Sequence, residues 1–386
     1  MPELTLQSAW EYATGGPWPE PEGLSGDERP MALAIKESLA GIGLSSPNPS
    51  VGCILMRDGR VIGRGAHLQA GGLHAEVAAI RDSKNRGEAT DGASAYVTME
   101  PCCHTGRTPP CTGALIQAGI KRAVVGVRDP DPRVAGGGIA SLTNSGIEVA
   151  EGVLGNACAR LHAPFFKAVQ TGMPWVMVKL ALGSDGGIGP QGKKINVTSP
   201  GVQSIAHALR RVCDGILVGR NTVAVDDPML TDRWQALADI RFSNRANPPN
   251  RIFSRIVLDS RGTLSRDRRI WQGAEGHASM RVLTETAPPI EGVVDICLPP
   301  GPGGCSLPHL LHELSRRGFS RLLVEGGASV ASRFLDANLV DVLHVFRSSK
   351  PAGGPAVTLN IEGFGLHLAP LRFDGGQWEV FNKIAM

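Results

Sequence analysis

The sequence lacks the long apolar and basic runs that mark several classes of protein. It contains no stretch of about 18 consecutive apolar residues, which a membrane-spanning helix would need. The N-terminal segment MPELTLQSAWEYATGGPWPEPEG has no basic start and no apolar core, so we expect no secretory signal. The formal net charge is only +3, and no block of Lys and Arg is present that could follow a nucleic-acid backbone. These features argue against a membrane span and a long polyanionic partner, but they are compatible with a small phosphorylated substrate.

The eight cysteines are unevenly distributed. Cys102, Cys103 and Cys111 fall within ten positions, and the others are scattered through apolar segments. In a chain that is not exported, this pattern favours metal ligands and buried thiols over a disulfide framework. We therefore expect a cytoplasmic protein with a metal site. The content of 42% apolar and 19% charged residues is typical of a folded globular protein.

Apolar periodicity predicts two α/β domains along the 386 residues. Residues 1–28 are rich in Pro, Gly and Trp, and we expect an irregular extension there. Residues 29–150 alternate strand and helix patterns and include an Asp-Gly hairpin turn within VGCILMRDGRVIGRGAH. Residues 151–173 are predicted to be a linker, and residues 174–386 form the second domain. Short connections between alternating strands and helices predict helices packed on a sheet in both domains.

The clearest chemistry lies between His74 and Cys111, in the segments HAEVAAI and TMEPCCHTGRTPPC. Cys102 follows a predicted strand, and Cys111 opens a predicted helix. Both thiols are expected near helix N-termini, where the thiolate that binds zinc is favoured. A catalytic zinc site needs three protein ligands and an open fourth position. We predict that His74, Cys102 and Cys111 bind zinc and that Glu76 moves protons, as in zinc-dependent deaminases of nucleobase-like rings.

The loop between the two outer cysteines leaves one alternative open. The spacing from Cys102 to Cys111 is wider than the usual C-x-x-C, and the inserted residues could line the substrate pocket. Cys103 and His104 lie in this insertion. In a purely structural zinc site His104 would be the fourth ligand, but such a site would leave the HAE motif unexplained.

These motifs and several others resemble one known family. In the first half the matching segments are SSPNPSVGCI, GAH, HAEVAAI and EPCCHTGRTPPC, and in the second half they are KLALGSDG, LRRVCDGILVGRNTVAVDDPMLTDR, VLDS and LLVEGGASVASRFL. Over residues 30–380 the chain resembles the bifunctional deaminase/reductases of bacterial riboflavin biosynthesis. The resemblance implies an α/β protein with a cytidine-deaminase-like domain followed by a dihydrofolate-reductase-like domain. It also implies bound Zn²⁺ and NADPH.

The resemblance further implies two consecutive reactions on a small phosphorylated pyrimidine. The first is deamination of 2,5-diamino-6-ribosylamino-4(3H)-pyrimidinone 5′-phosphate. The second is NADPH-dependent reduction of the ribosyl group, which gives 5-amino-6-ribitylaminouracil 5′-phosphate. We expect a homo-oligomer, either a dimer or a tetramer, with no nucleic-acid or membrane partner.

Site residues carry over from the family by position. In the deaminase half, Glu76 is the proton donor, the zinc ligands are His74, Cys102 and Cys111, and Cys103 stands where the family usually has Ser. Asn48 would bond the pyrimidine, its alternative role being that of a turn residue. The implied substrate contacts of the reductase half are Arg210, Leu230, Arg233 and Glu325. Its implied NADP contacts are Ala181, Thr222, Asp226, Ser260, Gly327, Ala328, Ser329, Val330, Ala331, Ser332 and Arg333.

Physical chemistry supports part of this reductase assignment. The segment VEGGAS is a strand, two glycines and a helix start, whose N–H groups can hold a pyrophosphate, although an ordinary strand-to-helix turn has the same pattern. Arg210 and Arg233 suit a ribose phosphate, because a planar guanidinium group can donate two hydrogen bonds to phosphate oxygens. Ser260 and Arg261 follow a predicted strand and could bind the 2′-phosphate of NADPH. Alternation along that strand should turn Asp259 away from Ser260. The alternative for Arg261 is an ordinary surface position in a turn.

Two departures from the family pattern lie in the reductase half, beside the expected position of the nicotinamide. The run KKINVTS places Asn196 where the family usually has Trp, and GSDG replaces the commoner Ser-Leu-Asp-Gly. Two other functions account for less of the sequence. A tRNA-adenosine deaminase would not explain the second domain, and a non-catalytic nucleotide-binding or zinc-stabilised regulatory protein would not need Glu76.

Overall fold

The computed structural model describes residues 19–104, 109–190, 192, 200–231, 252–273, 276–354, 356, 359, 361–366, 370–373 and 375–383. These described residues form two compact units, which divide between Thr171 and Gly172. The segment 151–173, predicted to be a linker, contains the helix Gly155–Thr171, which belongs to the first unit. This helix buries Ala157, Cys158 and Leu161 on one face. No helix of the described chain is long and apolar enough to cross a membrane.

Helices and strands alternate in the first unit as the sequence predicts. Its described helices are α1 (Glu28–Ser38), α2 (Ala75–Asn85), α3 (Cys111–Gln117), α4 (Gly137–Asn144) and α5 (Gly155–Thr171). Its described strands are β1 (Gly52–Arg57), β2 (Arg60–Ala66), β3 (Ser94–Val97), β4 (Arg122–Val125) and β5 (Glu148–Glu151). They form one sheet in the order β2-β1-β3-β4-β5. β1 is antiparallel to β2 and β3, whereas β3, β4 and β5 are parallel.

Local sequence signals account for much of this unit. The predicted Asp-Gly hairpin turn is confirmed, because Asp58 and Gly59 adopt φ values of 50° and 72° between β1 and β2. Glycine tolerates this left-handed conformation without steric cost. Gly63 and Gly65 of β2 have no side chain, which lets the backbone of α2 pack directly against the strand. As a result the first turn of α2, which carries Glu76, is set close to the sheet.

The second unit is built on a larger, mostly parallel sheet. Its described helices are α6 (Pro200–Arg211), α7 (Arg220–Asp226), α8 (Leu307–Arg316) and α9 (Ala328–Asp336). Its described strands are β6 (Trp175–Leu182), β7 (Gly215–Gly219), β8 (Phe253–Leu258), β9 (His277–Leu283), β10 (Val293–Cys297), β11 (Pro300–Gly301), β12 (Gly304–Cys305), β13 (Arg321–Val324), β14 (Val342–Ser348), β15 (Phe364–Leu366), β16 (Leu371–Phe373) and β17 (Gly376–Lys383).

The strand order of this sheet is β10-β9-β8-β7-β13-β6-β14-β17-β15, with β16 also paired to β17 and with β11 and β12 forming a separate small hairpin. The strands from β10 to β14 along this order are parallel, and β17 is antiparallel to β14. The order places β13 between β7 and β6. The carboxyl ends of these strands therefore meet at one edge of the sheet, where sites of α/β proteins commonly lie.

Candidate active sites

The first unit brings together one histidine and two cysteines at the starts of α2 and α3. The Nδ1 atom of His74 lies 3.1 Å from the Sγ atom of Cys111 and 3.6 Å from that of Cys102. The three ligand atoms all lie within 4.8 Å of one another, and in the described chain they are the one such group of His, Cys and carboxylate atoms. Cys103 and His104 do not join it. One imidazole nitrogen and two sulfurs suit zinc with an open fourth position, so these residues fit the metal that the sequence predicts.

The two cysteines of this cluster differ in their hydrogen bonding. The backbone N–H of Cys111 donates to the Cys102 Sγ over 3.4 Å. A side-chain hydrogen bond from Cys111 lowers the pKa of the Cys102 thiol to about 4, and the same bond raises the pKa of Cys111. A hydrogen bond to Cys102 also raises the pKa of His74. These contacts favour the thiolate form of Cys102, which is the form of cysteine that binds zinc.

Glu76 lies beside this cluster in the first turn of α2, and its side chain is buried. Burial raises the pKa of its carboxyl to about 7, because the charged form is poorly solvated there. A carboxyl with a pKa near neutrality can both accept and release a proton under working conditions. Glu76 therefore has the environment of an acid–base group rather than that of a metal ligand.

A cavity of about 350 Å³ opens in front of these residues. Asn48 lines it, and its Nδ2 atom donates to the Nε2 atom of His67 over 3.1 Å. The Nδ1 atom of His67 donates in turn to the Leu73 carbonyl over 2.9 Å. This chain of hydrogen bonds fixes the Asn48 amide and leaves its oxygen as an acceptor for a ligand. His67 was not singled out from the sequence, although it is the histidine of the matched GAH segment.

Another part of the cavity lining comes from a segment that we call the rim loop, residues 129–139, which follows β4 and includes the first residues of α4. It contributes Asp129, Asp131 and Arg133 to the lining. Asp129 Oδ1 accepts a hydrogen bond from the Asp131 backbone over 2.8 Å. Asp131 accepts both the backbone N–H and the guanidinium of Arg133. Burial raises the pKa of Asp129 to about 6, whereas the Arg133 hydrogen bond lowers the pKa of Asp131.

One buried carboxylate holds the rim loop at both of its ends. The two oxygens of Glu100 accept hydrogen bonds from the backbone N–H groups of Asp129 (3.3 Å), Gly136 (3.0 Å), Gly138 (2.9 Å) and Ile139 (3.2 Å). Glu100 is two residues before the candidate ligand Cys102. None of these loop residues was identified from the sequence, but the position of DPDP shortly after the parallel strand β4 was an available signal.

The second unit contains a charged cluster at the carboxyl end of β13. The Glu325 carboxylate lies 3.4 Å from the Lys179 Nζ and 2.9 Å from the Arg210 guanidinium. Burial opposes ionisation of Glu325, but the charges of Arg210 and Lys179 lower its pKa below its ordinary value. The Lys179 Nζ also lies 5.6 Å from the centre of the Phe346 ring. The structure thus brings together Arg210 and Glu325, two of the predicted substrate residues. It adds Lys179 to them, a residue that was not predicted from the sequence.

The turn from β13 into α9 carries the predicted NADP contacts. Gly327 precedes the first residue of the helix, and Ala328 and Ser329 form its exposed or half-exposed first turn. Val330 and Ala331 are buried, so only their backbone can face a cofactor. A Cβ atom on Gly326 would lie 2.9 Å from the Val330 Cβ, which shows how closely this turn packs on its own helix.

The end of β8 places the other predicted cofactor residues. The Asp259 carboxylate is buried and accepts the backbone N–H groups of Thr263 (3.1 Å) and Leu264 (3.0 Å). It is therefore engaged within its own turn. Arg261 is exposed. Ser260 and Arg333 both lie against Gly304 in the β11–β12 hairpin, because a Cβ atom there would be 2.9 Å from the Ser260 Oγ and 3.4 Å from the Arg333 Nη1.

The remaining predicted residues that the structure describes lie in β6, in α7, in the loop after α7 and in α9. Ala181 is half-buried in β6, and Thr222 and Asp226 lie in α7. Leu230 is buried and adopts a positive φ of 52°. Ser332 is half-buried in α9. Arg233 and the KKINVTS run with Asn196 lie outside the described residues.

Two family models match the chain. Residues 24–127 match the cytidine and deoxycytidylate deaminase zinc-binding region, and residues 174–379 match the RibD C-terminal domain. The expected α/β class and the order of a deaminase-like domain before a reductase domain are thereby confirmed.

Relatives and solved structures match nearly the full length. The riboflavin biosynthesis protein RibD of Escherichia coli (strain K12) is 37% identical over 331 residues, which are 86% of this chain and 89% of that protein. That of Aquifex aeolicus is 36% identical over 334 residues, 85% of this chain and 88% of that protein. A crystal structure of the Thermotoga maritima diaminohydroxyphosphoribosylaminopyrimidine deaminase/5-amino-6-(5-phosphoribosylamino)uracil reductase has 33% identity and a TM-score of 0.80, and the match covers 92% of this chain and 98% of that one.

A structure of Acinetobacter baumannii RibD also has 33% identity, with a TM-score of 0.78 over 93% of this chain and 99% of that one. The zinc-type cluster and the reductase-type cluster thus lie in the two regions that the family models match. The chain belongs to the RibD family of riboflavin biosynthesis proteins.

Proposed function

We propose that the chain catalyses two consecutive steps of riboflavin biosynthesis. The first is hydrolytic deamination of 2,5-diamino-6-ribosylamino-4(3H)-pyrimidinone 5′-phosphate. The second is NADPH-dependent reduction of the ribosyl side chain, which yields 5-amino-6-ribitylaminouracil 5′-phosphate. The observation that carries this proposal is the compact group of His74, Cys102 and Cys111 beside the buried Glu76, in a chain that also has a reductase domain.

In the deaminase half, we assign His74, Cys102 and Cys111 to zinc and Glu76 to proton transfer. When bound, zinc supplies the Lewis acidity that makes a water molecule nucleophilic at neutral pH. A Glu76 oxygen accepts the proton of the attacking water and returns it to the departing amino group, which leaves as ammonia. Its pKa of about 7 suits both directions of transfer. The Asn48 amide, held by His67, orients the pyrimidine.

In the reductase half, we assign Glu325, Lys179 and Arg210 to the ribose end of the substrate. When bound, NADPH supplies the hydride. Conversion of a ribosyl to a ribityl group places that hydride on the anomeric carbon and a proton on the ring oxygen. Lys179 and Arg210 offer N–H donors next to Glu325, so this cluster can hold the sugar oxygens while the reaction proceeds. The first turn of α9 offers backbone N–H groups to the cofactor phosphates.

Cofactor preference is assigned to the turn after β8. Because Asp259 is engaged with Thr263 and Leu264, it does not compete for the adenosine ribose at Ser260. Arg261 would then bond the 2′-phosphate of NADPH and contribute about a tenfold to hundredfold preference over NADH. We expect Arg261→Ala to lower the ratio of kcat/KM for NADPH to that for NADH. An unchanged ratio would assign the preference to other residues.

The proposal also covers the cellular compartment and the oligomeric state of the enzyme. We propose a cytoplasmic enzyme, since none of the eight cysteines, each within the described residues, is in a disulfide, which suits a reducing compartment. We also propose a homo-oligomer, a dimer or a tetramer, which analytical ultracentrifugation of the full chain measures directly.

The decisive experiment separates the two reactions. Purified protein is incubated with the diaminopyrimidine substrate, and ammonia release is followed before NADPH is added. Ammonia should be released without NADPH, and the loss of NADPH absorbance should begin only once deaminated product is present. A folded, zinc-loaded protein that releases no ammonia would contradict the proposed deaminase.

A further inference from the structure

Two loop segments of the second unit run side by side at the carboxyl ends of β6 and β14. Residues 183–190 follow β6 and residues 350–354 follow β14, and we call the two segments together the loop pair. A backbone hydrogen bond joins them, in which the Gly189 N–H donates to the Gly353 carbonyl over 3.0 Å. A Cβ atom on Gly354 would collide with the Gly189 carbonyl oxygen, so this close approach of the two backbones requires glycine.

The carboxylate of Asp185 also holds the loop pair together. Its Oδ1 atom accepts the backbone N–H groups of Gly187 and Ala352, each over 3.1 Å, and its Oδ2 atom accepts that of Gly353 over 2.7 Å. The hydrogen bonds from Ala352, Gly353 and Gly187 stabilise the charged form and lower the pKa of Asp185. One side chain thus joins two segments that are 167 positions apart in the sequence.

The loop pair begins next to the charged cluster of the second unit. Along β6, pairing with β13 extends to Val178, whereas pairing with β14 continues to Leu182. The last residues of β6 therefore run past the end of β13, beside Glu325 and the turn into α9. In the sheet, β13 and β14 lie on opposite sides of β6. Because Asp185 bonds the loop after β14, the segment 183–190 is held on the side of β6 that faces away from β13.

We infer that Asp185 is a positioning residue of the reductase, which keeps the segment 183–190 away from the space beside Glu325 where the nicotinamide and the ribosyl group meet. This inference rests on the proposed NADPH-dependent reduction. Asp185 acts through the backbone of its own segment and takes no part in hydride or proton transfer. A segment without this hydrogen bonding would enter the space in part of the molecules. The apparent affinity for each ligand then falls in proportion to the fraction of molecules in which the space is open.

The test compares Asp185→Ala with the matched control Asp336→Ala. Asp336 is also an exposed aspartate of the second unit, but it is the last residue of α9, at the opposite end of that helix from the cofactor turn. We expect Asp185→Ala to raise the Kd for NADPH alone, measured by fluorescence titration, about tenfold. With both ligands saturating, kcat for reduction of the deaminated intermediate should be little changed, because bound ligand keeps the space open. Asp336→Ala should match the wild type, and ammonia release should be unchanged in both variants.

A conservative variant and a ligand-free readout separate positioning from a general loss of stability. Asp185→Asn keeps one oxygen that can accept two of the three hydrogen bonds, so it should raise the Kd for NADPH less than Asp185→Ala does. Without any ligand, amide hydrogen exchange followed by mass spectrometry should be faster in the loop pair of both Asp185 variants than in the wild type. If neither folded variant raises the Kd, or if kcat falls while the Kd is unchanged, Asp185 does not position the segment. If the wild type binds NADPH but does not reduce the intermediate, the proposed reduction fails instead.

Discussion

Cys103 follows a metal-ligand candidate directly in the chain, yet its side chain lies elsewhere. A Cβ atom on Gly137 would be 2.9 Å from the Cys103 Sγ, so this thiol packs against the start of α4. We expect Cys103→Ser to retain about one zinc per chain. Cys102→Ser and Cys111→Ser should release the zinc and abolish deamination, because two ligands hold the metal far less tightly than three. Metal analysis of the three purified variants checks this, and loss of zinc from Cys103→Ser would contradict it.

His344 is a buried titratable group in the second unit. It lies in β14 against Trp378, with ring centres 5.7 Å apart, and neither of its ring nitrogens has a hydrogen-bond partner among the described residues. Burial lowers its pKa to about 3. Between that value and about 6.5, the unfolded chain binds a proton that the folded chain does not. The stability of this unit should therefore fall as the pH falls through that window, and should not depend on His344 above it.

Replacing His344 tests this linkage. Between pH 7.5 and 5.5, wild-type protein should lose about 1.4 kcal/mol more unfolding free energy than His344→Leu. Residues 19–171 contain no tryptophan, so tryptophan fluorescence in urea reports mainly on the second unit. His309→Leu is the control, because that side chain is exposed on α8. Equal pH dependence in wild type and His344→Leu would show that His344 is not the group responsible.

At the scale of elements, the packing of β7 against α9 determines where the first turn of α9 lies. A Cβ atom on Gly219 would be 2.7 Å from the Val330 Cγ2 atom. We expect Gly219→Ala to destabilise the second unit by about 1–3 kcal/mol through overpacking and to raise KM for NADPH. Ammonia release should be unchanged.

The companion substitution is Val330→Ala, which removes the Cγ2 methyl group that a Cβ atom at position 219 would meet. The double variant should be less destabilised than the sum of the two single variants, because the two residues are in contact. Gly273→Ala serves as a control, since a Cβ atom there meets nothing within 4 Å. Additive effects in the double variant, measured by urea unfolding and by KM for NADPH, would contradict a steric coupling.

The elements that sequence analysis could predict are those with local signals. The Asp58–Gly59 turn and the alternation of strands and helices depend on neighbouring residues alone. By contrast, Lys179 is in the middle of a strand, and it meets Glu325 only because β6 pairs with β13. Within 151–173, predicted to be a linker from its acidic and Gly-containing sequence, the structure instead forms a helix that follows positive φ values at Gly152 and Leu154.

At the scale of the whole molecule, the two candidate sites lie in separate compact units. Family membership was predictable because the metal motif and the reductase motifs are both contiguous in sequence. The contacts between Glu100 and the rim loop were not predictable, since their residues are separated by 29 to 39 positions and meet only through the pairing of β3 with β4.

Separate units predict separable activities. Glu76→Gln keeps the shape of the side chain but removes its ability to exchange a proton, so it should stop ammonia release. The NADPH-dependent reduction of deaminated intermediate should continue at the wild-type rate. Both rates are measured on the same full-length preparation, with zinc content as the control for folding. Loss of both activities in a folded variant would contradict independent sites.

The bonding of the rim loop to Glu100 has a consequence for how substrate range can change. One carboxylate holds Asp129 at the beginning of the loop and Gly136, Gly138 and Ile139 at its end. Residues 130–135 therefore form a short exchangeable segment between two anchored ends. We expect that its exposed side chains can be replaced as a block without displacing the candidate metal ligands, provided that its length and its buried residues Asp131 and Val134 are kept. Transplanting this hexapeptide from other deaminases of the same fold is thus a direct route to enzymes that accept pyrimidines with different substituents.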